Sequence, residues 1–403
     1  MPRRVAVTGI GVVSALGLDR ESHLAGLREG RDGVSTLEIT DVERLSVRIG
    51  AQARDFDGAA LFDRQQLSFF DRTTQMALTA AAEAVADAAL ELTEEESLKT
   101  GVVMGTALNG METIDGNYRA VFQDGKNRVH PFIVPRLMTS AGASQISMSY
   151  GLRGPSWTVS TACSSSNHAI GQAFQMVRSG VSDVMVTGGA EAPLFFGVIK
   201  AWEGLRVMSR DACRPFSLNR SGMVQGEGAA VLVLEEMGRA RARGARIWGE
   251  IVGFGMSADA SDIVMPSLDG AARAMRAALD DAAMAPDEVA YVNAHGTATA
   301  ANDRTECAAI SEVFGAAAER VSISSTKSMH GHCIGAAGAL EAAAVLMALT
   351  EGVIPPTINY DEPDPDCALD VTPMTARERP VGAALSNSFA FGGLNAVLAF
   401  RKI

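Results

Sequence analysis

Short apolar segments with the character of β-strands alternate with alanine-rich helical segments along the whole 403-residue chain. The stretches GVVMGT, DVMVTGG and GAAVLVLEE are of the first kind, and RTTQMALTAAAEAVADAALE is of the second. Strands that are apolar at consecutive positions are typically buried on both faces, so each sheet needs helices on both sides. The pattern therefore predicts a layered α/β fold.

An internal echo predicts that this fold is made of two related halves. Residues 80–106 run from an alanine-rich helix through a polar turn to a strand, and residues 271–297 repeat that order. Likewise, ACSSSNHAIGQAFQMVRSG resembles HCIGAAGALEAAAVLMALTEG in placing a reactive side chain before a helix and a closing glycine. We place the junction in the charged stretch EEMGRARARGARIWGE, which gives halves at 1–250 and 251–403.

Composition excludes several classes of function. The chain has 35 basic and 47 acidic residues, a net charge of −12, which argues against general nucleic-acid binding. Its five cysteines are scattered without paired metal-ligand spacing, which favours reduced thiols over disulfides or a metal centre. The N-terminus lacks a signal-peptide pattern, and we expect no apolar run of membrane-spanning length. The sequence thus predicts a soluble, cytoplasmic protein that binds neither membrane nor metal.

One cysteine occupies a position in which its thiol could act as a nucleophile. The segment TVSTACSSSN places Cys163 where an extended stretch ending near Val159 gives way to an amphipathic helix that Gly180 closes. The serines at 164–166 are good helix-capping residues. A thiol beside the positive end of a helix is favoured as thiolate, the nucleophilic form, so a reactive cysteine is one interpretation of this position, which the position alone does not decide. A buried structural cysteine is the alternative.

Three other stretches combine glycine turns with polar side chains that suit catalysis. They are VNAHGTATAANDRTE, SISSTKSMHGHCIGAAGALEA and LSNSFAFGGLNAVLAF. A cysteine with histidines far away in sequence is the expected layout of thiol catalysis. The candidate side chains in the first two stretches are His295, Lys327 and His332.

Taken together and in this order, these motifs resemble the β-ketoacyl-acyl-carrier-protein synthases, the elongating ketosynthases of fatty-acid and type II polyketide synthesis. The resemblance covers nearly the whole chain, including VTGIGVVSALG at the start and RPFSLNRSGMVQGEGAAVLVLE in the middle. It implies a thiolase-like fold with α-β-α-β-α layers, the cysteine in the first half and the histidines in the second. It also implies a dimer.

The activity implied by the resemblance is a decarboxylative Claisen condensation. An acyl chain carried on the cysteine reacts with malonyl-acyl-carrier protein to give 3-oxoacyl-acyl-carrier protein. No cofactor is expected on the enzyme, because the phosphopantetheine arm belongs to the acyl carrier protein. The family nucleophile matches Cys163, and its two catalytic histidines match His295 and His332. The supporting pair matches Lys327 and Glu306, which we expect to orient His332. The remaining matches are Thr297 and Thr299 for the phosphopantetheine arm and Phe391 for the oxyanion-binding backbone N–H and the pocket gate.

Departures from the family pattern bear on substrate and partner. The chain has SSSN after the nucleophile, RPFS for RPFD, and Leu394 where threonine is usual in the FGG motif. The stretches SSSNHAIGQAF and FFGVIKAWEGLRVMS look more like those of nodulation-type and polyene ketosynthases than those of housekeeping ones. Because Cys163 is intact, the chain should be the catalytic subunit of a homodimer or of a heterodimer with a chain-length-factor-like partner. We expect Leu108 to line the acyl pocket, and Arg206 and Arg210 to meet the acidic carrier protein.

Three other functions compete with this one. A thiolase or coenzyme-A-primed synthase would share the fold, but the initiating synthases place an asparagine where His332 stands. A cysteine hydrolase would use Cys163 with one histidine and release free acid. A non-catalytic binding subunit would keep the fold, and the intact set of cysteine, histidines and lysine argues against it.

Overall fold

The stretches GVVMGT, DVMVTGG and GAAVLVLEE, in which the sequence predicted strands, all contain buried strands of the main sheet. The computed structural model describes residues 2–403. All ten residues of the first strand are buried, as expected for a strand covered on both faces. In chain order, the strands are β1 (Val5–Ser14), β2 (Ser35–Thr36), β3 (Ile49–Gly50), β4 (Thr100–Gly105), β5 (Ser156–Val159), β6 (Val184–Glu191), β7 (Gly228–Glu236), β8 (Gly249–Ala258), β9 (Tyr291–Asn293), β10 (Ser322–Ser324), β11 (Val353–Ile354), β12 (Arg377–Glu378), β13 (Ala383–Ala390) and β14 (Leu394–Arg401).

The helices begin with polar capping residues in several cases, for example Asp19 and Ser267, whose side chains accept from backbone N–H groups. In chain order, they are α1 (Arg20–Glu29), α2 (Gly58–Leu61), α3 (Arg64–Phe69), α4 (Arg72–Asp87), α5 (Glu94–Ser97), α6 (Met111–Tyr118), α7 (Ile133–Leu137), α8 (Ala141–Tyr150), α9 (Ser165–Ser179), α10 (Phe196–Leu205), α11 (Met237–Ala242), α12 (Leu268–Asp281), α13 (Ala300–Phe314), α14 (Lys327–His330) and α15 (Ala337–Glu351).

The two halves have the same strand topology. In the first half the strand order across the sheet is β1-β7-β6-β4-β5, and in the second it is β8-β14-β13-β9-β10. Each half contributes five strands to this sheet. When those five are numbered along the chain, both halves have the order first, fifth, fourth, second and third. The directions of pairing also match. In the first half, β4 is parallel to β5 and β6, and β7 is antiparallel to β6 and β1. In the second half, β9 is parallel to β10 and β13, and β14 is antiparallel to β13 and β8. The predicted duplication is confirmed.

A short antiparallel pairing joins the halves. Residues 5–7 of β1 pair with residues 249–251 of β8, which makes one continuous sheet of ten strands. Since β8 starts at Gly249, the second half begins its sheet next to the charged stretch that the sequence pointed to. The exact division at 250 stays a prediction.

Five layers follow from where the helices pack. Helix α4 lies on β1, β7 and β6 with α8 beside it, and α12 lies on β8 and β14 with α13 beside it. Helices α9 and α15 contact each other and both halves of the sheet, so they form the central layer. The predicted α-β-α-β-α arrangement is confirmed.

The central layer contains one apolar stretch that is long enough to cross a membrane. Contrary to the sequence-based expectation, residues 334–351 reach that length and hydropathy, but 89% of this window is buried inside the protein. Alanine and glycine dominate the segment, which lets the two halves of the sheet approach it closely. The stretch is therefore the core helix of the fold.

Candidate active site

The nucleophile lies in a tight bend between β5 and α9. Ala162 adopts a left-handed conformation with φ of 50°, a region that residues other than glycine rarely occupy. Two serines hold this bend, because Ser164 Oγ donates to the Thr161 carbonyl at 2.9 Å and Ser165 Oγ donates to the Ala162 carbonyl at 2.6 Å. Ser164 occupies the N-cap position of α9 as expected, but its hydroxyl does not bond to the helix N–H groups, because both serine hydroxyls bond backward into the bend. The result is a fixed position for Cys163 at the start of the central helix.

The thiol of Cys163 is buried, and this decides its ionisation. Burial raises its pKa to about 11, although the Lys327 charge and the backbone N–H groups of Phe391 and Cys163 act in the opposite direction. Glu191 adds a further increase. The expectation of a resting thiolate is therefore wrong, because desolvation outweighs the helix terminus. Both backbone N–H groups nevertheless face the sulfur, where an oxyanion hole is needed.

The two histidines come together as the sequence predicted. His295 follows β9 and His332 precedes α15, and their ring centroids are 5.4 Å apart with the rings almost perpendicular. Burial lowers the pKa of both rings well below the usual 6.5, and the nearby Lys327 charge lowers it further. Both imidazoles are therefore neutral near pH 7 and can each donate one N–H to a developing negative charge.

Lys327 contacts His295 and pairs with a residue that the sequence analysis missed. Its Nζ donates to the His295 carbonyl at 2.6 Å and lies 3.3 Å from His295 Nδ1. The same ammonium forms an ion pair with Glu341 of α15, and both side chains are fully buried. The hypothesis that Lys327 and Glu306 form a pair that orients His332 is wrong, because the lysine faces α15 and the His295 ring.

Glu306 instead stabilises the turn that carries the first histidine. Its two carboxylate oxygens accept the backbone N–H groups of His295 and Gly296, each at 2.8 Å. Asn387 Nδ2 donates to the same carboxylate at 3.2 Å. Burial raises the Glu306 pKa to about 7, and these hydrogen bonds oppose that increase. The residue positions His295 through its backbone.

The FGG turn carries an aromatic side chain that packs against a second aromatic ring. The Phe391 ring lies against Trp202, with centroids 5.7 Å apart and planes tilted by 32°. Gly392 and Gly393 have φ of 80° and 68°, which glycine tolerates best. A Cβ on Gly393 would also lie only 2.5 Å from Asp259 Cβ. The Gly-Gly pair is therefore required for the turn that aims the Phe391 N–H at the sulfur.

One cavity of about 340 Å³ unites most of the predicted site. The polar side of its wall includes Thr297 and Thr299, whose hydroxyl oxygens are 2.9 Å apart. Arg206 is exposed at its mouth, whereas Arg210 lines a separate groove. Leu108 is not among its lining residues, contrary to expectation, and its N–H donates to Glu191. The predicted site residues that line the cavity are Cys163, His295, Thr297, Thr299, His332 and Phe391.

Three neighbouring residues were not found from the sequence. Glu341 is the one acid in the interior of the long apolar helix α15, whose other acid, Glu351, is its last residue, and Glu191 is an acid at the end of an apolar strand. Such isolated charges in apolar runs are the signal that marks them, since a buried acid needs partners. Trp202 carries no comparable signal. Among residues 2–403 there is no cluster of three or more His, Cys, Asp or Glu side chains that could hold a metal ion.

Comparison with protein families accounts for this combination of fold and site. The family model of the β-ketoacyl synthase N-terminal domain matches residues 2–240, and that of the C-terminal domain matches residues 248–361. The chain belongs to the β-ketoacyl synthase family. The resemblance proposed from the motifs is thereby confirmed, as is the assignment of the chain as a condensing acyltransferase with a thiolase-like fold.

Relatives that are similar over almost the whole chain carry different names. Nodulation protein E of Rhizobium sp. (strain N33) is 50% identical over 403 residues, which is 100% of both chains. The 3-oxoacyl-[acyl-carrier-protein] synthase 2 of Staphylococcus aureus (strain COL) is 40% identical over 407 residues, 99% of this chain and 98% of the relative. The solved ishigamide ketosynthase/chain length factor has 37% identity and a TM-score of 0.94, covering 100% of both chains.

Proposed function

We propose that the protein condenses an acyl chain held on Cys163 with malonyl-acyl-carrier protein and releases CO₂ and 3-oxoacyl-acyl-carrier protein. The observation that carries the proposal is the single buried cavity shared by Cys163, His295 and His332. A buried thiol, two neutral N–H donors and two backbone N–H groups aimed at the sulfur are the groups that this chemistry needs.

The first half-reaction transfers the acyl group. The Cys163 sulfur forms a bond to the thioester carbonyl carbon while the bond to the carrier's sulfur breaks, and the thiol proton ends on the departing pantetheine thiol. The oxygen that becomes negative in the tetrahedral intermediate accepts the N–H groups of Cys163 and Phe391. Thr297 and Thr299 lie on the polar wall of the same cavity and would hold the phosphopantetheine arm.

The second half-reaction makes the new carbon–carbon bond. Malonyl thioester loses CO₂, and the electron pair left behind forms an enolate whose oxygen accepts N–H groups from His295 and His332. The enolate carbon then attacks the acyl carbonyl on Cys163, the C–S bond breaks, and the thiolate regains a proton from water. Since Lys327 can donate to His295 Nδ1, the ring proton of His295 stays on Nε2. Each such donor contributes about 3 kcal/mol by deletion.

The acyl carrier protein is the proposed partner, and the enzyme itself needs no cofactor because the carrier brings the phosphopantetheine. Arg206 and Arg210 are exposed, and neither pairs with an acidic side chain within residues 2–403. We expect Arg206→Glu to weaken carrier binding in a salt-dependent way, whereas the exposed Arg241→Glu serves as a matched control. Equal affinity of both variants at low salt would remove Arg206 from the docking surface.

A dimeric state accords with the surface around α6 and α7. Tyr118, Phe122 and Val134 are exposed apolar residues there, and β5 lies at the free edge of the sheet. A homodimer in the cytoplasm, where five free thiols stay reduced, is the first candidate. The likeness to a ketosynthase/chain length factor favours a heterodimer as the second. Mass photometry of the purified chain, alone and after co-expression with a candidate partner, separates the two.

Stepwise mass spectrometry tests the reaction. Incubation with acyl carrier protein that bears an acyl chain should add the mass of that acyl group to Cys163. Malonyl-acyl-carrier protein should then remove the added mass and yield 3-oxoacyl-acyl-carrier protein. Cys163→Ala should abolish the adduct. Release of free acid in the absence of malonyl-acyl-carrier protein would indicate a hydrolase. Acylation of Cys163 by acyl-coenzyme A alone would indicate a thiolase-type enzyme, and no acyl adduct with either donor would indicate a non-catalytic subunit.

A further inference from the structure

A buried carboxylate that the proposed condensation does not use lies at the end of β6. Glu191 is fully buried, and a carboxylate in that position is costly unless hydrogen bonds replace its water. Four hydrogen bonds do so, three from backbone N–H groups and one from a hydroxyl. Burial raises the Glu191 pKa to about 7, and these hydrogen bonds oppose that increase. The carboxylate therefore binds tightly to the segments that surround it.

The four donors to Glu191 come from two segments that are distant in the chain. Three of them belong to residues 106–108, just after β4, and lie 2.7–2.9 Å from the carboxylate oxygens. The fourth is the Gly335 N–H, which is three residues after His332 and lies 3.1 Å from Oε2. A Cβ on Gly335 would lie only 2.5 Å from that oxygen, so the close approach requires glycine. Glu191 thus bridges the segment after β4 and the turn between His332 and α15.

The turn that Glu191 holds is strained. Ile334 has φ of 45°, a left-handed conformation that a β-branched residue rarely adopts and that persists only where surrounding contacts impose it. The start of the turn is fixed, because the His332 N–H donates to the Val224 carbonyl at 2.7 Å. The end of the turn is fixed by the hydrogen bond from Gly335 to Glu191. If this second anchor is lost, the strained residue can relax and His332 moves with it.

The nucleophile is held without help from Glu191. Two serine hydroxyls fix the bend that carries Cys163, and the backbone N–H groups of Cys163 and Phe391 face the sulfur. None of these groups is a donor to Glu191. Loss of the Glu191 charge would lower the Cys163 pKa, since that charge contributes to the increase. Acylation therefore depends on groups that Glu191 does not hold, whereas decarboxylation depends on His332.

We infer that Glu191 is a positioning residue for malonyl decarboxylation, acting through the Gly335 N–H on the turn that carries His332. The inference rests on the proposed condensation. Each of the two histidines then has its own buried glutamate, because Glu306 holds the His295 turn through backbone N–H groups in the same way.

The ratio of two rates tests the inference, because a loss of folded protein lowers both rates in the same proportion. The first rate is the gain of acyl mass on Cys163 from butanoyl-acyl-carrier protein. The second is the release of CO₂ when malonyl-acyl-carrier protein is added to the butanoyl-enzyme. We expect Glu191→Ala to lower the ratio of CO₂ release to acylation about ten- to a hundredfold, since a misplacement of about 1 Å can cost about a hundredfold. A ratio within threefold of the wild-type value would overturn the inference.

A second variant keeps the test decisive if Glu191→Ala does not fold. Glu191→Asp keeps the charge but draws the carboxylate back by one methylene, so it cannot reach both segments. We expect this variant to lower the same ratio at least threefold, and an unchanged ratio would again overturn the inference.

Glu235→Ala is the matched control. It removes another fully buried glutamate, which lies at the opposite end of the paired strands β6 and β7 from Glu191 and pairs with Arg239 and Arg243. The ratio should stay within threefold of the wild-type value, and a loss equal to that of Glu191→Ala would overturn the specific role of the His332 turn. A wild type that neither gains acyl mass nor releases CO₂ would contradict the proposed condensation itself.

Discussion

The buried ion pair between Lys327 and Glu341 gives the most direct test of how the site is held together. Both side chains are fully buried, and Lys327 also donates to the His295 carbonyl. Removing one member of such a pair leaves an uncompensated buried charge and costs about 3–5 kcal/mol, whereas removing both costs much less. We therefore expect Lys327→Met and Glu341→Gln each to lower the free energy of unfolding by about 3 kcal/mol or more. The free energy of unfolding of the double variant should fall by about 2 kcal/mol less than the sum of the two single losses.

Chemical denaturation at fixed protein concentration, followed by tryptophan fluorescence, measures this coupling. A second cycle of Lys327→Met with Glu235→Gln is the matched control, because the buried Glu235 pairs with Arg239 and Arg243 and shares no partner with the lysine. We expect additivity within about 0.5 kcal/mol in that cycle. Additivity in both cycles, or larger coupling with Glu235 than with Glu341, would refute the assignment of the ion pair.

Three further predictions concern the chemistry and the FGG turn. His332→Ala should slow malonyl decarboxylation about 10²- to 10³-fold while acylation of Cys163 continues, as measured by CO₂ release and mass gain; equal rates in wild type and variant contradict its role as a donor. Burial raises the Cys163 pKa to about 11, so the rate at which iodoacetamide alkylates this thiol should rise about tenfold for each pH unit from pH 7 to 9.5. An alkylation rate that stops rising near pH 8 would contradict a buried neutral thiol. Gly393→Ala should lower thermal stability and slow acylation more than the control Gly382→Ala, whose added Cβ meets nothing within 4 Å.

The layers and the convergence of the site could be predicted because they depend on local patterns. Continuous apolar strands and alanine-rich helices specify a layered sheet, and the repeated order of elements specifies two halves. The order of the cysteine, the histidines and the FGG motif along the chain predicted which residues form the site. These features persist in the structure because packing and local preference agree at each of them.

What the sequence did not reveal depends on depth and on long-range contact. The ionisation of Cys163 follows from how deeply the bend is buried, which a helix-start motif does not report. The partner of Lys327 is on the next helix and not on the one with the matching family glutamate. The serines at 164–166 have the right residue type for capping, but the bend around Ala162 provides closer acceptors for the hydroxyls of Ser164 and Ser165, and the Ser166 hydroxyl accepts the Ala339 N–H of α15.

The matching strand order of the two halves has a consequence for how the chemistry could arise. Cys163 and His332 occupy equivalent places, each just ahead of the central helix that follows the third strand of its half. A symmetric pair of half-length chains would have to put the same amino acid at both places, giving two thiols or two imidazoles. Joining the copies in a single polypeptide removes that constraint, so that a nucleophilic sulfur and a proton-donating imidazole can evolve separately on the two sides of one shared pocket.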